Sequence, residues 1–270
     1  MSQPVALTIA GSDSGAGAGI QADLKTFAAL GVYGVSVITA VTAQNTIGVR
    51  AVQEIDGAVV RAQLDAVAED FPIRALKTGM LSSAPIIEVV AEGVRRHGLS
   101  KLVVDPVMVA KSGDRLLRED AVDALRRHLL PLAEVVTPNL PEAAVISGHS
   151  ISSLADRLIA ARAIMALGAR AVVIKGGHAP GDPVIDLLVT GRGVHEFRAR
   201  RINTSSTHGT GCTFSAAIAA GLATELDLEA SVARAREYVS QALEGAEPLG
   251  HGHGPLAHFT LKEATDGIRR

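Results

Sequence analysis

The chain has 270 residues, of which 47% are hydrophobic and 20% charged, with a formal net charge of −2 and a single cysteine. That length supports one large core or two smaller ones. The near-neutral charge leaves no basic footprint for nucleic acid, and one cysteine excludes an intrachain disulfide and suits a reducing compartment. The start, MSQPVALTIAGSDSG, lacks the basic stretch and apolar run of a signal peptide, and no segment reaches the ~18 to 20 uninterrupted apolar residues of a membrane span. The expectation is a cytoplasmic protein without nucleic-acid or membrane partners.

In chain order, a β-rich run at residues 5–10 (VALTIA) leads through a glycine-rich stretch to a helix expected around 20–30. A second run at 35–41 (VSVITAV) ends in TAQN, and helical periodicity then covers 56–71. RALKTG at 74–79, an amphipathic helix at 84–98 and KLVVDPV at 101–107 come next. EVVTP at 134–138, a helix over 154–168 and AVVIKGG at 171–177 continue the alternation. Continuous apolar strands separated by helices predict a mostly parallel sheet covered on both faces. Residues 184–203 instead predict two strands joined by Gly-Arg-Gly, a small antiparallel extension. No composition break or repeat divides the chain, so one α/β domain over 1–270 is expected.

Ligands in such sheets collect at the C-terminal ends of the strands, where this sequence concentrates its glycines and polar groups. Gly17-Ala18-Gly19-Ile20-Gln21-Ala22 matches a loose dinucleotide pattern, but the glycines fall too late after the strand and the second strand ends without an acid for the ribose. A Walker A sequence is absent. The stretch Thr207-His208-Gly209-Thr210-Gly211-Cys212 is more telling. Its glycines permit close backbone approach, and the small-residue helix that follows turns free amides toward the loop, which suits a phosphate or oxyanion. A tight turn that merely packs the helix on the sheet is the alternative.

The other strand ends bear on that choice. Asp105 and Glu142 are carboxylates at separate strand ends, Asn139 precedes Glu142 by one helical turn, and Lys175 closes a strand before two glycines. Two acids for Mg²⁺, a lysine for phosphate and an amide-rich loop are what phosphoryl transfer from a nucleotide requires. Taken singly, Asp105 is equally a turn cap before Pro106, and Lys175 a partner for an acid. The histidines at 178, 208, 251, 253 and 258 lack the spacing of a zinc site. His208 differs in lying inside the phosphate loop, placed to order it by a hydrogen bond.

The stretches TIAGSDSGAGAGIQADLKTF, TAQNT, KTGML, VVDPVMVAKSGDRLL, TPNLPEA, IKGGH, THGTGCTFSAAIAAGL and GHGHGPLAHF occur in that order. Over roughly residues 5–260 the chain thus resembles the bacterial hydroxymethylpyrimidine and phosphomethylpyrimidine kinases of the ribokinase-like superfamily. The resemblance implies a three-layer α/β/α sandwich and a homodimer. It implies ATP- and Mg²⁺-dependent phosphorylation of 4-amino-5-hydroxymethyl-2-methylpyrimidine and then of its monophosphate, in thiamine biosynthesis. It also implies Cys212 as the group that deprotonates the acceptor alcohol, where many ribokinase-like enzymes carry aspartate. Amides at a helix start lower a thiol pKa, so a thiolate at neutral pH is expected there. Being a weak base for an alcohol, it would accept the proton only as, or after, the new P–O bond forms.

For the pyrimidine the resemblance points to Gln44, with Gly11, Ala18, Met80 and Val107 as apolar walls and close backbone contacts. Asp23 is either a further polar contact or a brace for the helix around it. Lys175, Asn139 and Thr207 fall to ATP and its phosphates, Asp105 and Glu142 to the metal. Two other readings remain: a pyridoxal or pyridoxine kinase on the same scaffold, and a ligand-sensing relative without turnover.

Overall fold

The central strands bury both faces, and alternate residues go to opposite sides. In β1 (Val5–Asp13), Leu7 and Ile9 enter one core while Ala6 enters the other. The same alternation separates Leu76 from Ala75 in β4 (Ile73–Thr78), Val104 from Val103 in β5 (Leu102–Val104) and Val136 from Val135 in β6 (Ala133–Val136). It repeats in β7 (Ala171–Ile174), where Val172 and Val173 part company. The computed structural model describes residues 3–109, 113, 116 and 119–259. Part of the VVDPVMVAKSGDRLL stretch (residues 110–112, 114, 115 and 117) and the two ends of the expected 1–270 unit lie outside the described residues.

One core is covered by α2 (Gly57–Asp70), α3 (Ala84–Arg96), α4 (Glu119–Ala124), α5 (Leu140–Ser147) and α6 (Leu154–Ala166). The other is covered by α1 (Gly19–Ala29), α7 (Thr210–Ala223) and α8 (Leu228–Glu244). This is the expected three-layer α/β/α sandwich. The alanine-rich sequence of α7 explains its place: Ala216, Ala217, Ala219 and Ala220 are fully buried, so the helix sits close on the sheet. At Gly221 a Cβ would lie 2.6 Å from Ser231 Oγ, which shows how tightly α8 packs behind it.

Among the described residues the sheet has nine strands in the order β3-β2-β1-β4-β5-β6-β7-β8-β9. β2 (Tyr33–Gln44), β1, β4, β5, β6 and β7 run parallel. β8 (Val184–Thr190) and β9 (Val194–Ala199) form the expected antiparallel extension around Gly191–Gly193. The expectation omitted β3 (Val49–Glu54), which pairs antiparallel with β2 at the opposite edge. Its sequence, VRAVQE, keeps nearly every side chain exposed, so it has no apolar run to advertise it.

The last described segment is tied down from two helices. Thr213 Oγ1 on α7 is 3.0 Å from His258 Nε2, and the Tyr238 hydroxyl of α8 donates to the His258 carbonyl at 2.7 Å. Burial pushes the His258 imidazole down to about 4. The folded chain thus keeps this ring neutral at pH values where an unfolded histidine, with a pKa near ~6.5, is protonated. The unfolded state binds the extra proton, so stability is lost as pH falls through that window. His258→Asn should remove on the order of 2 kcal/mol of the stability loss between pH 6.5 and 4.5. Thermal or urea unfolding of both proteins at the two pH values measures this, and an equal loss in the variant would discharge His258 from the role.

Candidate active site

A cleft of about 940 Å³ runs along the C-terminal ends of the parallel strands. Gly11, Ala18, Gln44, Met80 and Val107 line it beside β2, β1, β4 and β5. Asp105, Asn139, Glu142 and Lys175 line it where β5, β6 and β7 end. Thr207, Gly209, Thr210, Gly211 and Cys212 approach from the start of α7. Asp23 does not reach the cleft. It lies beneath, fully buried on α1, where its carboxylate takes the Lys77 ammonium at 2.8 Å and the Thr8 hydroxyl at 2.6 Å. It braces α1 against β1 and β4, so the polar-contact reading of Asp23 is corrected to the brace.

Two glycine-rich turns form the cleft wall together. After β1 the chain turns around the Asp13 carboxylate, which accepts backbone N–H groups from Gly15, Gly17 and Ala18 at 2.8, 3.0 and 2.9 Å. From the other turn, His208 Nε2 reaches the same carboxylate at 2.8 Å, the ordering hydrogen bond expected of His208. These contacts outweigh burial and hold the Asp13 pKa below its ordinary value. Gly209, at φ +82°, starts α7 in the left-handed region, and a Cβ there would strike the Gly17 carbonyl. Only glycine allows both the dihedral and the approach.

The N-cap residues Ala18 and Gly209 offer no side-chain hydrogen bond to α1 or α7, so first-turn amides of both helices are left for other partners. They converge on Cys212: its sulfur accepts the Gly19 N–H at the start of α1, while Cys212 itself lies in the first turn of α7. Those amides and Lys77 favour a thiolate, but burial of the half-buried side chain, with Asp23 and Asp105 nearby, prevails and pushes the thiol up to about 11. The expected thiolate is therefore corrected: Cys212 is a thiol at neutral pH.

Charged groups of both signs line the floor of the cleft. Asp105 Oδ1 holds Lys175 Nζ at 2.9 Å, and its Oδ2 accepts from Ser215 Oγ at 3.1 Å. Burial disfavours the Asp105 charge, yet Lys175, Lys77 and Ser215 together keep its pKa lowered. Lys175 is likewise held above its ordinary value, Asp105 and Glu142 overcoming desolvation. Its ammonium lies where a Cβ at Gly211 would be only 3.2 Å away, so the glycine lets the cation rest against the start of α7. Glu142 and Asn139 form a capping box at α5, with the Asn139 N–H given to Glu142 Oε2 at 2.8 Å and the Glu142 N–H to Asn139 Oδ1 at 2.9 Å. Burial raises the Glu142 carboxyl to about 7 against the pull of Lys175.

Sequence reasoning assigned no role to Lys77, Asp13, Asp186 or Arg236. Asp186 of β8 accepts the Gly176 N–H at 2.7 Å and lies 3.4 Å from Arg236 of α8, both lining the cleft on the Lys175 side. Lys77 sat within a quoted motif, but its burial and its partner depend on α1 packing beside β4.

Phosphoryl transfer needs positioning and charge neutralisation more than covalent chemistry, and amides, cations and carboxylates are gathered here for both. By fold and site the protein is a small-molecule kinase. The profile of the phosphomethylpyrimidine kinase family matches residues 13–257, and the chain belongs to that family. A hydroxymethylpyrimidine/phosphomethylpyrimidine kinase from Rhizobium meliloti is 55% identical over 94% of this chain and 97% of its own. Among solved structures, a Bacillus subtilis pyridoxal kinase in complex with ADP superposes with a TM-score of 0.89 at 41% identity, covering 95% of this chain and 98% of its own. A phosphomethylpyrimidine kinase from Clostridium difficile gives 0.80 at 43% identity, covering 89% of this chain and all of its own. The architecture they share is the ribokinase-like fold.

Because a thiol reacts with alkylating reagents only as thiolate, modification of Cys212 by iodoacetamide should be slow at pH 7 and rise about tenfold per pH unit toward its pKa of about 11. Mass spectrometry of the single modified cysteine follows the rate. A rate that levels off below pH 8 would restore the thiolate.

Proposed function

We propose that the chain, acting as one kinase domain in the cytoplasm and as a homodimer, uses ATP to phosphorylate 4-amino-5-hydroxymethyl-2-methylpyrimidine and then the resulting monophosphate. The observation that carries this reading is the meeting of Cys212, the free amides of α1 and α7, and Lys175 in one cleft with Gln44. The substrate hydroxyl would lie at Cys212, its ring against Met80 and Val107 and its edge on Gln44. The alcohol oxygen would bond to the γ-phosphorus as the bond to ADP breaks. The hydroxyl proton would pass to Cys212 while the thiol's own proton moves on to an oxygen of the transferring phosphoryl group, so that Cys212 relays the proton and ends as a thiol. The first-turn amides of α7 and the Lys175 ammonium face the charge that builds on the transferring oxygens. On the Lys175 side of the cleft, Arg236 and Asp186 would border the space left for the nucleotide.

Among the described residues no group of three or more histidine, cysteine or acidic side chains is assembled to hold a metal. That donor set still fits Mg²⁺, which keeps several waters and binds through one or two carboxylates together with phosphates. Asp105 and Glu142 would serve, both close enough to Lys175 to shift its ionisation. When bound, Mg²⁺ would neutralise part of the triphosphate charge.

The roles of the two sides separate experimentally. Glu142→Gln keeps the capping bond to Asn139 but loses the charge, so its activity loss should be partly rescued by raised Mg²⁺. Lys175→Met loses a phosphate contact, and raised Mg²⁺ should not rescue it. Identical Mg²⁺ responses in steady-state assays would remove the distinction.

The pyridoxal kinase reading keeps a claim because a solved relative carries that name. An ATP-coupled assay on the aminopyrimidine, its monophosphate and pyridoxal in parallel decides between them. Gln44→Leu should reduce kcat/KM for the aminopyrimidine by roughly 100-fold or more while affecting pyridoxal far less, because pyridoxal has no amine beside its hydroxymethyl arm. Pyridoxal as the better wild-type substrate, with an equal loss on mutation, would overturn the pyrimidine assignment.

A further inference from the structure

Gln44 is held from two sides, and its neighbours decide which end of the amide points where. On one side lies His208 Nε2, 3.4 Å from the amide nitrogen; on the other lies Thr42 Oγ1, 3.2 Å from the amide oxygen. In that order neither contact is chemically satisfied. His208 Nε2 is also 2.8 Å from Asp13 Oδ2. The Asp13 carboxylate is surrounded by donated N–H groups from Gly15, Gly17 and Ala18, so it is an acceptor only. The hydrogen of that contact must sit on His208 Nε2, which then faces the amide nitrogen as donor against donor. Thr42 has a single hydroxyl hydrogen, and it goes to the Ser12 carbonyl at 2.8 Å. Only lone pairs remain for Gln44, so the amide oxygen meets them as acceptor against acceptor.

A half-turn about the last torsion of Gln44 exchanges the two ends and repairs both contacts together. The amide oxygen then accepts from His208 Nε2–H, shared with Asp13, and the amide nitrogen donates to Thr42 Oγ1. The ring cannot swing to undo this, because Gly17 packs so closely on it that a Cβ there would collide with His208 Cδ2. Asp13, Thr42, Gln44 and His208 all line the cleft, and the second N–H and second lone pair of the amide are left for a ligand.

We propose that Asp13, His208 and Thr42 are positioning residues that fix the Gln44 amide with its oxygen toward His208 and its nitrogen toward Thr42. The cleft thereby presents one donor–acceptor order to a heteroaromatic edge. This rests on the reading of Gln44 as the substrate contact. A 4-aminopyrimidine offers a ring-nitrogen acceptor beside an amine donor, whereas its 4-oxo analogue offers the reverse, a ring N–H beside a carbonyl. A freely turning amide would match either, and a fixed amide matches one.

The test compares kcat/KM for the 4-amino and 4-oxo hydroxymethylpyrimidines in wild type, Thr42→Val, His208→Phe and the double variant. Wild type should prefer the amino compound by roughly 100-fold or more, and each single variant should lower that ratio about tenfold, mainly through KM, with the double variant lower still. A role confined to packing would reduce both substrates alike, and a ratio unchanged in all three variants overturns the proposal. Heteronuclear NMR of the wild-type histidines supplies a readout that needs no turnover. His208 should carry its hydrogen on Nε2, and a hydrogen on Nδ1 alone overturns the proposal. If wild type phosphorylates neither pyrimidine, the proposed function fails, while the tautomer measurement still decides the amide.

Discussion

The site depends on a row of buried charges that can exist only as a set. Asp23 and Lys77 pair at 2.8 Å with no exposure at all, and Asp105 pairs with Lys175 at 2.9 Å. Lys77 also acts on Asp105, and Lys175 on Glu142, so every carboxylate of the row acts on an ammonium. A single buried charge without a partner is strongly unfavourable, and breaking such a pair from one side typically costs about 3–5 kcal/mol. The sheet order explains how the row is assembled. Asp23 follows β1, Lys77 ends β4, Asp105 follows β5, Glu142 follows β6 and Lys175 follows β7, and these are consecutive neighbours in the sheet. Parallel strands bring their C-terminal ends to one edge, and that edge becomes a line of fixed charge.

Above the row the two glycine-rich turns impose a second constraint. Asp13 draws the 15–18 backbone and His208 onto one carboxylate, while Gly209 and Gly17 permit a contact closer than any side chain would. The consequence is that the N-termini of α1 and α7, far apart in sequence, meet at one sulfur. An anion placed there feels two helix dipoles and several unsatisfied amides. Neither turn could form this alone, which is why the chain needs glycines in both.

How much of this the sequence discloses follows from the range of the interactions. Strands such as VALTIA and AVVIKGG show as local apolar runs, and their ends indicate where polar residues gather. The cleft and nearly all the residues brought to it could thus be read from one dimension. Asp23 could not, because its place under the cleft depends on Lys77, 54 positions away. Nor could the ionisation of Cys212, since the helix start that favours a thiolate is local whereas the burial that opposes it comes from the assembled core. β3 escaped because a mostly exposed edge strand has neither an apolar run nor a buried face to mark it.

Under the proposed function, the thiol state of Cys212 would order the contributions to catalysis. With a pKa of about 11, the thiolate fraction at pH 7 is on the order of 10⁻⁴, and ionising it in advance costs about 5 kcal/mol. The raised pKa also makes the thiolate a stronger base. That gain grows by less than tenfold per unit, however, because proton transfer is only partly complete in a transition state, whereas the population falls by the full tenfold. The balance turns against a preformed thiolate. In the proposed reaction, proton transfer through Cys212 would then be deferred until phosphorus–oxygen bonding has acidified the alcohol, when least is demanded of the thiol that relays it. Under the proposed function the larger share of the acceleration would fall to the groups whose charge is already in place: the Lys175 ammonium, held ionised by Asp105 and Glu142, and the first-turn amides of α7.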